Sequence, residues 1–493
     1  MSFNSTIFVD LKNKSIPMSI QLPGEIELEN RPSIEAKALR INLNKFIYGT
    51  FAEIGAGQEV ARHFFRAGGA SGTIAKTISA YDKNFSDNIY GEEDDKRYVT
   101  EKRLNKMLEH EMRLLENRIP KKDNPNKMFF TYANTVTTID FAKKFKGHGW
   151  MGIRFQTSAQ EAYSEISLHV RFHQSEARLQ QEVLGMIGVN LIYGAFYKYD
   201  EPNKLLRYLY DHIDHDAIEI DTINFKGPLF KEVDNRLISL QLVKNGMTDA
   251  VMFNPEGNNI LPARELYKKN ILTLRGSFRP VTKVNIDMFE KALDAFIQEP
   301  GVEEDKTVVI FEITLSNLTA QGEIDEKDFM DRAKLLCSLG HIVMISNFKE
   351  YYKLVDYLSQ YTKQQLGLSM GVNNFVEIFD EHYYEDLGGG ILEAFGKMFY
   401  NNLKVYLYPM KDDNGNIINS TNLKLHPRMK DFYKFFKYNG KIIDIYDFDE
   451  GYLDIFSRKI LQQIKDGEPD WEKHLPEGIA GLIKQNRMFD FPS

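Results

Sequence analysis

The sequence predicts an α/β protein: a mixed, largely parallel sheet or an irregular β/α barrel flanked by helices, with helical additions at both ends. Three observations carry this. Residues 308–315 are almost entirely apolar and lack the in/out alternation of a half-exposed strand, so both faces of that strand should be covered. Between 307 and 409 one plan repeats, a buried strand, a polar residue at its end and an amphipathic helix, which is best joined by parallel right-handed crossovers. Between 128 and 173, three strand-like runs are separated by loops too short for helical crossovers, so part of the sheet should be antiparallel.

The repeating stretch fixes the elements in turn. After the strand at 308–315 and the Ser316-Asn317 turn, Phe329, Ala333, Leu336 and Cys337 fall at helical spacing. Gly340 then stands where a helix end calls for positive φ. The strand 341–345 ends in Ser346-Asn347, and Tyr351, Leu354, Val355 and Leu358 share the next helix face. A strand at 366–370, a helix around Phe375 and Ile378, a helix opened by Gly388-Gly389-Gly390 and a strand at 405–408 complete the series.

At 493 residues the chain is long enough for a large core and for more than one domain. The reading divides it into an N-terminal arm (1–47), a glycine-rich and helical segment (48–125), an α/β core (126–410) and a C-terminal helical cap (411–493). Lys and Arg total 62 against 70 Asp and Glu, a net charge of −8, so nothing electrostatic recruits nucleic acid or an anionic membrane. The single cysteine, Cys337, leaves no internal disulfide and favours a reducing compartment. The N-terminus lacks the basic start and apolar run of a secretory signal, and the apolar run 184–197 is too short to span a bilayer. A cytoplasmic protein is expected.

Several clusters offer chemistry. Between 48 and 81 lie Gly55, Gly57 and Gly69, then Lys76, among arginines and small hydroxyls. Glycine-freed N–H groups at a helix start beside cations make an anion site; the alternative is close helix packing beneath a solvated basic face. Farther on, Arg275-Gly-Ser277-Phe-Arg279 closes a buried strand and forms a second candidate anion clamp. Ligands of α/β sheets bind beyond the carboxyl ends of the strands, where Asn317 and Asn347 also fall. Gly388, Gly389 and Gly390 are the third candidate, with a plain tight turn as the alternative.

Glu312 interrupts an apolar strand. A carboxylate there is either paired with a cation, with Arg275 the expected partner, or shifted in pKa and useful to a catalyst. His341 is the second candidate for acid–base chemistry. His169 and His173 alternate along one strand with Arg171 between them, a poor cation site, so they are assigned to a polar face. The run Asp211-His-Ile-Asp-His-Asp216 is read as an exposed helix end, because consecutive side chains diverge. No metal is assigned and no cofactor is named.

The stretches YGTFAEIGAGQEV (48–60), LRGSFRPVT (274–282), EIFDE (377–381) and LGGGILE (387–393) resemble a widespread bacterial family, from about residue 45 to the C-terminus. Its members carry two labels, nicotinate-nucleotide adenylyltransferase and TonB-dependent receptor. The adenylyltransferase motifs G-x-F-x-P-x-H-x-G-H and I-S-S-T-x-x-R are absent from this sequence, as are the signal peptide and amphipathic membrane strands of a receptor. The first label implies nucleotide-like ligands.

Together these readings predict an enzyme or enzyme-derived binding protein for a phosphorylated or nucleotide-like small molecule, possible chemistry being nucleotidyl or phosphoryl transfer. The alternative is a self-assembling scaffold without catalysis. A homo-oligomer is expected in either case.

Overall fold

A computed structural model describes residues 31–492 apart from 145, 320, 321 and 401. The α/β expectation holds. Both large sheets are open, with two free ends each, so the barrel alternative is corrected.

The first sheet has six strands: β1 (Ile47–Ile54), β2 (Ile74–Ile78), β3 (Met128–Thr137), β4 (His148–Phe155), β5 (Ser164–Phe172) and β6 (Ile218–Lys226), in the order β2-β1-β3-β4-β5-β6. β2, β1 and β3 run parallel, and β3 to β6 are successively antiparallel, as the short loops between them require. The 18-residue helix Glu101–Arg118 covers one face; Thr100 caps it, its side chain accepting from the Arg103 N–H. The other face is covered by helices Ile34–Asn42, Glu59–Ala67 and Ala177–Tyr197. Gly188 lets two of these helices touch, because a Cβ there would lie 2.3 Å from Val60 Cγ2. Of the arm expected over 1–47, residues 1–30 lie outside the described residues, and helix Ile34–Asn42 is part of the packed body.

The second sheet has eight strands: β7 (Ala250–Phe253), β8 (Asn259–Ile260), β9 (Asn270–Arg275), β10 (Thr307–Thr314), β11 (Ile342–Ser346), β12 (Leu366–Gly371), β13 (Leu403–Tyr408) and, beyond the hairpin β14 (Met410–Lys411) and β15 (Ile417–Ile418), β16 (Ile442–Asp444). Their order is β16-β13-β12-β9-β10-β11-β7-β8. The six strands from β16 to β11 are parallel, and the β7–β8 hairpin closes one edge antiparallel. β1 and β2 therefore come from segment 48–125, and β16 from segment 411–493. β10 lies inside the sheet, and Phe311 and Ile313 join one core cluster while Ile310 joins another, so both faces are covered.

From β9 the chain builds outward in one direction through β10 and β11. It then crosses back, places β12 on the other side of β9 and continues through β13 to β16. This is the 3-2-1-4-5-6 order of a doubly wound sheet, with its reversal between β9 and β12. Helices Lys283–Ile297 and Glu326–Ser338 pack on one face, and Tyr351–Ser359, Gly390–Phe399 and Lys430–Tyr438 on the other. One hydrophobic cluster runs through both sheets, from Ile34 near the start to Phe489 near the end, and includes Val170, Ile220, Leu274 and Phe311.

Candidate functional site

The reversal of strand order leaves a crevice of about 260 Å³ at the carboxyl ends of the parallel strands. Leu274, Arg275 and Gly276 reach it from β9, Gly371 to Asn374 from β12, and Tyr408 to Met410 from β13; Val284, Asn285, Met288 and Leu453 complete it. Helix Lys283–Ile297 starts beside it, where the first turn leaves N–H groups without intrahelical partners. Asn285 serves that turn, its Oδ1 accepting from Thr282 N at 3.0 Å.

Arg275 is built into the wall. Strand register sets it opposite Glu312, and the two close a fork: Arg275 Nε donates to Glu312 Oε2 at 2.8 Å and Nη2 to Oε1 at 2.9 Å. Ser346 Oγ donates to the same Oε1 at 2.6 Å, Arg275 Nη1 donates to Lys349 O at 3.0 Å, and the guanidinium lies 4.3 Å from the centre of the Tyr351 ring. Burial opposes the charged form of Arg275, yet the adjacent carboxylate holds its pKa above the ordinary value. Of the two alternatives for Glu312, pairing with Arg275 is the one found. An anion entering the crevice meets a guanidinium already shared with Glu312.

The other residues singled out in the sequence lie elsewhere. His341 precedes β11 at the amino edge of the sheet, and its ring stacks on Phe311 at 4.2 Å. Phe311 and Glu312 are consecutive in a strand, so His341 and Glu312 occupy opposite faces. Burial pushes the His341 pKa down to about 4. Arg279 pairs with Asp328 on helix Glu326–Ser338, so Arg275 and Arg279 have separate carboxylate partners and do not converge on one anion. Ser277 is exposed and its carbonyl accepts from Arg332. Asn317 Nδ2 donates to Gly276 O at 3.0 Å, which ties down the loop after β9. Asn347 is exposed, and its backbone N–H donates to Asp249 O.

The glycine turns follow a different logic. Glu53, at the end of β1, accepts from Val60 N at 3.2 Å and Ala61 N at 2.9 Å, so the protein's own carboxylate occupies the start of helix Glu59–Ala67. Gly55 (φ +101°) and Gly57 (φ +82°) shape the loop between them, and a Cβ on Gly55 would sit 1.7 Å from Val136 O. Gly69 lies past the far end of that helix, with φ +71°. Lys76 pairs with Glu111 at 2.5 Å. Gly388 and Gly389 precede helix Gly390–Phe399, which Gly390 opens, and Gly389 N donates to Glu393 Oε2 at 2.9 Å.

Asp211 is a correction of another kind. It is fully buried, accepting from Lys37 Nζ and pairing with Arg31, each at 2.6 Å, so it is not part of an exposed helix end. Among the described residues no group of three or more His, Cys, Asp or Glu is placed to hold a metal ion, and no described helix is long and apolar enough to cross a membrane.

Asn285, Asn373, Asn374 and Tyr408 escaped the sequence reading. Asn373 and Asn374 carry the signal used for Asn317, a carboxamide just after a buried strand. What the sequence withholds is the adjacency of β12 and β9. A larger, open cleft of about 670 Å³ lies where β6 meets the β7–β8 hairpin, and two of its cations are already paired, Arg236 with Asp234 at 2.6 Å and Lys226 with Glu101 at 3.3 Å. We place the candidate site in the smaller crevice because it stands at the point of strand reversal.

No family model matches the chain, and no curated protein matches it. Among solved structures, the competence/damage inducible protein CihA from Agrobacterium tumefaciens is 14% identical over 33% of this chain and 94% of its own, with a TM-score of 0.24. The competence damage-inducible protein A (ComA) from Klebsiella pneumoniae is 9% identical over 34% of this chain and 97% of its own, with a TM-score of 0.25. A CinA superfamily protein from Enterobacter cloacae gives 9%, 34%, 94% and 0.24 for the same measures. Likenesses at this level carry no argument about what the chain does.

Proposed function

We propose that this chain is an enzyme, or a binding protein of enzyme descent, that holds a compact phosphorylated or nucleotide-like molecule in the crevice between β9 and β12. One observation carries the reading: a crevice at the carboxyl ends of parallel strands, at the point where their order reverses, is where doubly wound sheets take such ligands. The starting turn of helix Lys283–Ile297 supplies positive potential for an anionic group, and Asn285, Asn373 and Asn374 supply donors and acceptors for a polar ring or sugar. The volume of about 260 Å³ favours a mononucleotide fragment or sugar phosphate over a dinucleotide.

The test is a thermal-shift series with nucleotides, nicotinate-type mononucleotides, sugar phosphates and phosphoribosyl compounds, each with and without magnesium. A native-state ligand raises the melting temperature by mass action. One class should shift the melt, and Asn373→Ala combined with Asn374→Ala should abolish the shift in a protein that still melts cooperatively. Absence of any shift at millimolar ligand would sink the proposal. Arg275→Ala is the poorer probe, because it also strands Glu312.

A further inference from the structure

Away from the crevice, on the first sheet, three titratable side chains line up across three neighbouring antiparallel strands. His169 on β5 is 1% exposed, and its Nδ1 lies 2.7 Å from Asp221 Oδ1 on β6, itself 5% exposed. Its Nε2 lies 3.1 Å from Nδ1 of His148 on β4, which is only partly buried. The array depends on a backbone irregularity. On β6, Ile218 and Ile220 face the core, and so do Ile223 and Phe225, with two residues between the pairs instead of one. Register slips there, His169 standing opposite Thr222 and Val170 opposite Ile220, so that Asp221 is the inserted residue of a bulge. Bulges re-aim side chains, and this one brings the carboxylate onto the histidine.

With Asp221 as the acceptor and both rings neutral, the direction of every bond follows. A carboxylate only accepts, so His169 Nδ1 carries a proton and donates it to Asp221. The neutral ring then has its lone pair at Nε2, which accepts from His148 Nδ1–H. That leaves the lone pair of neutral His148 at Nε2, at the outermost end of the chain. Among the described residues none hydrogen-bonds to that atom.

We propose that Asp221, His169 and His148 form a proton relay that makes His148 Nε2 a proton-accepting site, separate from the crevice, for a protic small molecule such as water or a hydroxyl-bearing ligand. When a donor X–H gives up its proton, X keeps the bonding electron pair and His148 Nε2 takes the proton. The Nδ1 proton of His148 passes to His169 Nε2, and the positive charge comes to rest on His169, against Asp221. An orienting carboxylate behind a base is a recurring arrangement for activating a weak acid. Arg171 on β5 also faces His148; its charge is countered by Glu219 at 3.3 Å, and it donates to Tyr361 OH at 3.0 Å. Burial, with the neighbouring His169, pushes the His148 pKa down to about 4, so the ring stands neutral at pH 7.

The tautomers are directly observable. In the 493-residue chain labelled with 15N-histidine, long-range 1H–15N spectra at pH 7 should show both His148 and His169 protonated at Nδ1 and bare at Nε2. Diethyl pyrocarbonate should then acylate His148 at Nε2, and His169→Phe, which removes the acceptor for His148 Nδ1–H, should slow that reaction several-fold. A proton at Nε2 on either ring of the unaltered protein overturns the proposal, as do equal acylation rates in the two proteins. Should the His169→Phe protein fail to fold, the spectra of the unaltered protein decide alone.

Discussion

Arg275 and Glu312 stand directly opposite each other on β9 and β10 and meet through two parallel hydrogen bonds of 2.8 and 2.9 Å, the carboxylate fully buried. Such a pair stabilises little beyond what an apolar pair of the same shape would, because both charges were taken from water. Breaking it is another matter. Arg275→Ala or Glu312→Ala leaves one buried charge alone and should cost about 3–5 kcal/mol. The double variant Arg275→Met with Glu312→Leu should recover much of that loss. Urea unfolding of the four proteins checks this; if the double variant loses the sum of the two single losses, the pair is not a coupled unit.

Glu53 gives the protein a pH dependence. Burial raises its pKa from 4.5 to about 7, against the pull of Ala61 N–H, Val60 N–H and Asn134. Between those values the folded state keeps a proton that the unfolded chain has released, so stability falls as pH rises through this window and levels off above it. The shift corresponds to on the order of 3 kcal/mol. Glu53→Gln should remove this slope while keeping a side-chain oxygen for the helix start. A pH series of melting temperatures tests it, and an unchanged slope in the variant refutes the assignment.

His341 contributes with the opposite sign. Its folded pKa is about 4 against an ordinary 6.5, so the unfolded chain binds the proton first as pH falls, and stability drops on acidification from 6.5 toward 4. His341→Phe should keep the stacking on Phe311 and lose that acid sensitivity. Because the windows of Glu53 and His341 overlap, the two slopes partly cancel in the unaltered protein, and His148, also held near 4, adds to the acid-side slope that His341 gives.

Gly188 and Gly396 separate backbone propensity from packing. Both sit inside helices, where alanine gains about 1 kcal/mol over glycine. At Gly396 nothing lies within 4 Å of an added Cβ, so Gly396→Ala should raise the melting temperature. At Gly188 the same methyl meets Val60 Cγ2 at 2.3 Å and Tyr132 Oη at 2.8 Å, and overpacking of about 1–3 kcal/mol should outweigh the propensity gain. A melting temperature that rises for both would show that the two helices can part without cost.

Much of the fold could be read from local pattern. The run at 308–315 gave a central strand, and Gly340 a positive φ of +83°. The Arg275–Glu312 pair was anticipated for a physical reason, since a charge inside an apolar strand needs a partner. What escaped depends on which strands are neighbours. Asn374 and Arg275 meet at one crevice only because β12 pairs with β9 and not with β11, which precedes it in the chain. Asp221 and His148 meet only through two intervening strand pairings and a bulge. Lys37 was invisible for the same reason: its carboxylate, Asp211, is 174 residues away. The glycines of 55–57 mark a real turn, but sequence spacing could not show that Glu53 fills the helix start.

The cluster that runs from Ile34 to Phe489 constrains how the molecule can come into being. Its members from the first sheet remain half-covered until Leu274, Phe311 and Val343 have been made, and Trp471 and Phe489 close it from the last stretch of chain. Contacts of such long sequence separation are slow to form, because loop closure must precede the burial that rewards it. A nascent chain therefore carries an open apolar face until the residues around Trp471 and Phe489 have emerged. Fragments ending before residue 471 should depend on chaperones or aggregate, and shortening the protein from its carboxyl end should cost more than the small size of the tail implies.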